Sequence, residues 1–143
     1  MPEAAAKPKS APQKAMEKLG LWRELEKRLA MSDNVRAAMV DSGLSDMKVW
    51  ITEFGWATAN NTPGYGFGNY TSFDEQANYI VRAFQMGRQD YAPWIGGMFL
   101  WQLNFAVLWK YQGNELHEQA SFGVLNGDWS PRPSYYAIQA MPK

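Results

Sequence analysis

Apolar and polar residues follow two periodic patterns along this chain, and together these patterns predict helices alternating with buried strands. Two short runs, Lys48–Thr52 and Gly96–Leu103, are largely apolar, as strands buried on both faces are, and the first is also rich in β-branched and aromatic residues. Between them, Phe73–Asp90 carries apolar residues at helical spacing behind a capping-box pattern formed by Ser72 and Glu75. This order predicts two parallel, adjacent strands joined by a right-handed helical crossover.

Three further helices are predicted from the same periodicity. Lys14–Met31 reads as an amphipathic helix with a heavily charged face. A second helix is predicted from Asp33 to about Ser42, and Gly43 is placed to end it in a left-handed cap. Pro133–Met141 reads as the last helix, with proline near its first position.

The segments between these elements are predicted to be loops. Residues 57–71 alternate glycine with aromatic residues, which suits either a substrate cleft or a loop that packs its own aromatics; we favour the second for Phe67. Phe105–Ala120 is predicted to be a long loop, Phe122–Leu125 a short extra strand, and Asn126–Asp128 a turn.

Composition narrows the classes of function. The 143 residues include 14 basic and 14 acidic ones, so the chain has no electrostatic footprint for nucleic acid. Cysteine is absent, which excludes disulfides, thiolate nucleophiles and cysteine metal sites. No segment has the length and apolarity of a membrane span. Met1–Lys14 lacks the apolar stretch of a secretory signal, so the sequence leaves the location of the protein open.

One carboxylate stands where parallel α/β proteins present catalytic groups. Glu53 directly follows the first predicted strand, and Gly55 then lets the chain turn sharply. Sites in such proteins lie at the carboxyl ends of the strands. The alternative is that Glu53 only caps a helix or marks the end of the strand.

The motifs around these strands resemble those of clan A glycoside hydrolases, the retaining (β/α)8-barrel enzymes. Ile51–Trp56 resembles the seventh barrel strand, and Met98–Asn104 resembles the eighth. Phe122–Gly123, Asp128 and Pro131–Tyr136 resemble the closing loop and last helix of the same barrels. The similarity extends over roughly residues 35–141.

The resemblance implies roles for four residues. Glu53 takes the place of the nucleophile, and Trp101 that of the tryptophan beneath the sugar at the cleavage subsite. Trp56 and Asn104 are expected to line the same cleft. A retaining enzyme also needs a second carboxyl group about 5–5.5 Å from the first.

No residue of this chain matches the second carboxyl group. In the clan it belongs to an Asn-Glu pair that ends the fourth strand. Asn114–Glu115 is the only such pair here, and it follows the second predicted strand, so the role is not transferred to it. No cofactor and no metal are expected, because the single histidine, His117, has no partner at a metal-binding spacing.

We therefore expect an α/β fold, namely the carboxyl-terminal portion of a (β/α)8 barrel with two parallel core strands and flanking helices. A complete barrel takes about 250 residues. Residues 1–13 are predicted to be a flexible tail, and residues 14–143 a partial barrel domain. The first hypothesis is an O-glycosidase acting on a polysaccharide or oligosaccharide. The others are a sugar-binding remnant without turnover and an assembly element, whose open strand edges pair with another barrel portion or a second copy.

Overall fold

The computed structural model of the chain describes residues 33–142, which divide between two units, residues 1–47 and 48–143. The tail predicted over residues 1–13 and the helix predicted over Lys14–Met31 lie outside the described residues.

The first unit contains a helix, α1, over residues 33–41. Gly43 follows it with a φ of 76°, in the left-handed region. The amide of Leu44 donates to the carbonyl of Met39 at 2.8 Å, and that of Gly43 donates to Val40 at 3.0 Å. These two bonds form a Schellman motif. The predicted helix and its glycine cap are therefore confirmed.

The second unit is a mixed α/β structure built on two parallel strands. Its elements are β1 (Val49–Phe54), a 3₁₀ helix (Gly66–Tyr70), α2 (Phe73–Gln89), β2 (Ile95–Leu100), α3 (Ala106–Tyr111), α4 (Glu118–Ser121) and α5 (Pro133–Ala140). β1 pairs with β2 in parallel, which confirms the predicted strand pair and its helical crossover. The bounds differ from the prediction: β1 extends to Phe54 and includes Glu53, and β2 ends at Leu100 rather than Leu103. None of the helices between residues 33 and 142 has the length and apolarity that crossing a bilayer requires.

The capping box predicted for α2 is present. The amide of Glu75 donates to Ser72 Oγ at 3.2 Å, and the Glu75 carboxylate accepts the amide of Ser72 at 3.0 Å. Two backbone donors at the start of the helix are thereby satisfied. Glu75 is thus part of a cap, as its position in the sequence predicted.

Two predictions for the carboxyl-terminal third are wrong. Phe105–Ala120 is not a continuous loop, since it contains α3 and the start of α4. These helices have 6 and 4 residues, too few to show a periodic pattern. Phe122–Leu125 is not a strand either: Leu125 forms a single antiparallel bridge with Pro131. The turn predicted at Asn126–Asp128 is confirmed by a 2.9 Å bond from the amide of Trp129 to the carbonyl of Asn126.

The hydrophobic core lies between α2, β2 and the carboxyl-terminal segment. Ile80, Val124 and Leu125 form its buried centre. Partly buried side chains pack around this centre: Trp56, Phe84, Leu100, Tyr135 and Ile138. The core is small, so its position decides which face of the sheet is stabilised.

Gln76 is a polar side chain inside this core, and it has no exposed surface. Its Nε2 donates to the carbonyls of Trp56 at 2.8 Å and Ser121 at 3.1 Å. Its Oε1 accepts the hydroxyl of Ser134 at 3.2 Å. Burying an amide is favourable only when its groups are paired, and here they are. Gln76 therefore ties the end of β1, α4 and the start of α5 to α2.

Candidate functional site

The carboxyl ends of the two strands meet at Gly55. The carbonyl of Phe54 accepts the amide of Trp101 at 2.7 Å, which extends the pairing just beyond β2. A Cβ placed on Gly55 would lie 2.2 Å from the carbonyl oxygen of Trp101. No side chain fits in that space, so glycine is what allows the two strand ends to come this close.

A bulge in β1 precedes this meeting point. Ile51 pairs with Met98 and Phe54 pairs with Leu100, so two residues of β1 stand opposite one residue of β2. Thr52 and Glu53 lie between these two paired positions, and both are exposed. Regular alternation along a strand would expose only one of them. Bulges often redirect a side chain beside a functional site. Nothing in the sequence pattern revealed this one.

Glu53 lies at the solvent side of the bulge. Its neighbour Phe54 points the other way, with its ring packed edge-on against Phe84 of α2 at 5.0 Å between centroids. Among residues 33–142, no side chain or backbone group forms a hydrogen bond or ion pair with the Glu53 carboxylate. A carboxylate open to water in this way is available to a ligand, but it does not have the aligned donors of a finished catalytic site.

Trp101 lies directly after β2 and is half-buried. Its ring packs edge-on against Phe105, with 5.3 Å between centroids, and the peptide that joins it to Gln102 is cis. The buried Gln102 side chain fixes this segment: Oε1 accepts the amide of Phe105 at 2.7 Å, and Nε2 donates to the carbonyl of Gln119 at 2.6 Å. Trp101 is thus held by its backbone bond to Phe54, by the contact with Phe105 and by the bonds of the adjacent Gln102.

Trp56 and Asn104 have contacts within the fold itself. The ring of Trp56 packs on Tyr79 of α2, at 5.7 Å between centroids, beside the core. Asn104 accepts the amide of Val107 at 3.3 Å and donates to the carbonyl of Asn126 at 3.2 Å, which anchors the start of α3. These contacts account for both residues without a ligand. Their roles in binding substrate stay predictions.

The Asn114–Glu115 pair is held by other groups. Asn114 Oδ1 accepts a hydrogen bond from Asn61 Nδ2 at 2.9 Å. The exposed Glu115 carboxylate lies 3.6 Å from the ammonium group of Lys110. An exposed ion pair of this kind is weak, so Glu115 can be released from it at little cost in free energy.

A polar cluster that the sequence did not reveal surrounds the single histidine. His117 stacks on Trp109 with 3.4 Å between centroids, and its Nδ1 lies 2.6 Å from Glu118 Oε2. His117 Nδ1 also accepts the amide of Gln119 at 3.2 Å, so the imidazole caps the start of α4. Glu118 also accepts the hydroxyl of Thr62 at 3.2 Å, and its amide donates to Thr62 Oγ at 3.0 Å. The cluster therefore fastens residues 57–71 to α4.

A buried arginine forms hydrogen bonds within the carboxyl-terminal segment. Arg132 donates to the carbonyl of Gly123 at 2.9 Å and to Asn126 Oδ1 at 2.8 Å, and its guanidinium lies 4.9 Å from the centre of the Phe73 ring. Burial lowers the pKa of Arg132 from its ordinary value. In the sequence, Arg132 appears only as part of the Pro131–Tyr136 motif, with no role of its own.

Within residues 33–142, no group of three or more His, Cys, Asp or Glu side chains is arranged to hold a metal ion.

Comparisons with known proteins gave one similarity. No protein-family model matches the chain, and no curated protein matches it. Among solved structures, the chain is similar to a family 39 glycoside hydrolase from the gut symbiont Bacteroides cellulosilyticus WH2, with 28% sequence identity and a TM-score of 0.44. The match covers 65% of this chain and 16% of that one.

Proposed function

We propose that the chain corresponds to the last two strand–helix units of a retaining (β/α)8-barrel glycoside hydrolase, with Glu53 as the nucleophile. The observation that carries this proposal is the parallel pair β1–β2, whose carboxyl ends meet at Gly55 with Glu53 and Trp101 beside the junction. Catalytic groups of parallel α/β proteins lie at that end of the strands. The resemblance of both strand motifs to the same enzyme clan supports the same assignment.

The proposed chemistry divides between this chain and other barrel strands. Glu53 attacks the anomeric carbon and forms a covalent glycosyl intermediate, which water then hydrolyses. Trp101 supplies a flat apolar surface beneath the sugar ring. The acid that protonates the leaving oxygen comes from outside the motifs of this chain, since Glu115 occupies a different position.

A second candidate, an assembly element, is supported by one feature of the sheet. Trp50 and Phe99 lie on the strands with 59% and 51% of their surface exposed, and their rings stack at 5.8 Å between centroids. Exposed aromatic pairs on a sheet are suited to burial against another element. In this role the chain joins another barrel portion or a second copy, and the same association brings in the second carboxyl group.

The test is an assay of the purified chain for hydrolysis of aryl glycosides and common β-glucans, alone and together with an upstream barrel portion. The chain alone is expected to show no measurable turnover, because general acid catalysis typically contributes about 10²–10⁴-fold and positioning contributes much of the rest. The completed barrel is expected to be active, and Glu53→Gln is expected to abolish that activity.

Two outcomes would contradict the proposal in different ways. Activity of the completed barrel that survives Glu53→Gln would remove the assignment of the nucleophile. Turnover by the chain alone that vanishes in Glu53→Gln would show that the second carboxyl group comes from this chain or from a second copy of it across an oligomer interface, and Glu115→Gln is then the first variant to assay.

A further inference from the structure

The loop after β1 exposes a pair of aromatic rings. In this segment, residues 57–71, here termed the aromatic loop, Tyr65 is 39% exposed and Phe67 is 57% exposed. Their rings contact each other at 5.7 Å between centroids and an angle of 44°. Phe67 therefore packs on Tyr65 of the same loop, as expected for a loop that packs its own aromatics, but more than half of its surface stays exposed. Two adjacent rings with this much surface in water are available to stack on a ligand.

The backbone beneath these rings is fixed by one side chain. Asn60 Nδ2 donates to the carbonyls of Thr58 at 3.1 Å and Tyr65 at 3.0 Å. Asn60 Oδ1 accepts the amide of Thr62 at 3.1 Å, and the Asn60 amide donates to Asn69 Oδ1 at 2.9 Å. One residue thus links four others across the loop. The rings are presented in a set position before any ligand arrives, which lowers the entropic cost of binding.

Close packing and an outside anchor hold the same loop. Gly68 is buried, and a Cβ placed there would lie 2.3 Å from the carbonyl oxygen of Thr58. At the other end, the amide of Asn61 donates to the carbonyl of Leu116 at 2.8 Å, beside the bonds from Thr62 to Glu118. The loop is therefore ordered without burying its aromatic rings.

The polar chemistry of the loop is neutral throughout. Residues 57–71 contain no Asp, Glu, Lys or Arg; their polar groups are amides and hydroxyls. A nucleic acid would require basic residues, and a charged peptide would require a countercharge. Asn69 Nδ2 has no hydrogen-bond partner among residues 33–142 and lies in the same 3₁₀ helix as Phe67. A flat apolar ring beside a neutral donor matches the C–H face and hydroxyl groups of a pyranose.

We propose that Tyr65 and Phe67 form a stacking platform for a neutral polysaccharide. The platform adds a binding subsite on the aromatic loop to the proposed function. It rests on that function for the role of the bound sugar. Its chemistry does not involve Glu53, so the two proposals are separable by experiment. The platform orients the glycan by stacking and by amide hydrogen bonds.

Affinity electrophoresis of the full chain tests the platform. The gels contain mixed-linkage β-glucan, arabinoxylan or galactomannan, with polygalacturonate as a charged comparison. Wild type is expected to be retarded by at least one neutral polysaccharide and not by polygalacturonate. Phe67→Ala is expected to bind about tenfold more weakly, and Tyr65→Ala combined with Phe67→Ala to lose binding. The matched control is Tyr136→Ala, which removes a ring that is 57% exposed on α5 and should not change retardation.

Circular dichroism of each variant separates lost binding from lost folding, and Glu53→Gln separates the two proposals. Retardation by no neutral polysaccharide, or equal retardation of wild type and the folded double variant, would overturn the platform. Loss of retardation in Glu53→Gln alone would also overturn it, while leaving the proposed nucleophile standing. If retardation depends on Phe67 but the completed barrel is inactive, only the enzymatic proposal would be overturned.

Discussion

The two faces of the β1–β2 sheet are both apolar, yet they have opposite environments. On one face, Phe54 packs against Phe84 of α2 at 5.0 Å, and Leu100 packs on the core. On the other, Trp50 and Phe99 stack on each other and remain 59% and 51% exposed. Phe99 and Leu100 are neighbours in the same strand, yet Leu100 packs on the core and Phe99 faces solvent.

This difference separates stability from recognition within one sheet. A strand that is apolar on both faces is typical of a parallel sheet covered on both sides. Here α2 covers one side, and the stability of the second unit depends on that side. The other side is free to contribute to binding or assembly, so substitutions there should leave folding almost unchanged. The following predictions test that division.

The largest effect is expected at the centre of the packed face. Ile80 has no exposed surface and contacts Val124 and Leu125. Ile80→Ala leaves a cavity and should lower the free energy of unfolding by about 3–4 kcal/mol. Urea denaturation followed by circular dichroism measures this change. Asn78→Ala, at an exposed position of the same helix, is the control and should change it by less than about 0.5 kcal/mol.

A direct comparison of the faces comes from two adjacent residues of β2. Leu100→Ala should cost about 2–3 kcal/mol because it opens the core. Phe99→Ala should cost less than about 1 kcal/mol, because half of its ring is already in water. For both variants, the change in the free energy of unfolding is calculated from the midpoint of urea denaturation, with the same slope of free energy against urea concentration. Equal losses for the two variants would show that the exposed face contributes to folding after all.

An effect smaller than that of Leu100→Ala is expected at the cap of the helix that covers the packed face. Ser72→Ala removes the acceptor for the Glu75 amide and should cost about 1 kcal/mol. Ser72→Asp keeps an acceptor at the same place and should retain most of the stability. Thermal unfolding of both variants measures the difference. If Ser72→Asp loses as much as Ser72→Ala, the cap does not stabilise α2 through this hydrogen bond.

Sequence reasoning succeeded for features that depend on neighbours in the chain. The capping box needs only Ser72 and Glu75, three residues apart, and the helix end needs only Gly43. The parallel strands follow from two apolar runs separated by one amphipathic helix. In the candidate site, the motifs at the ends of those runs predict roles for Glu53 and Trp101, and these roles stay predictions.

The features that escaped prediction depend on partners far away in sequence. The bulge before Phe54 exists only relative to the register of β2. The Thr62–Glu118 contact spans 56 residues, and no local pattern announces it. Likewise Trp56 carries an aromatic ring suited to a cleft, but packing on Tyr79 leaves it beside the core. Periodicity gives the elements of this fold, whereas tertiary contacts decide which side chains remain free for a ligand.

Gln76 has a consequence for how this unit opens. Its one amide group is bonded to Trp56, Ser121 and Ser134, which belong to three separate segments. Loosening any one of these segments breaks its hydrogen bond to Gln76 and leaves part of this buried amide unpaired. Local fluctuations at the carboxyl-terminal end are therefore coupled, so that the three segments behave as a single cooperative unit in the unfolding of α2 and its surroundings.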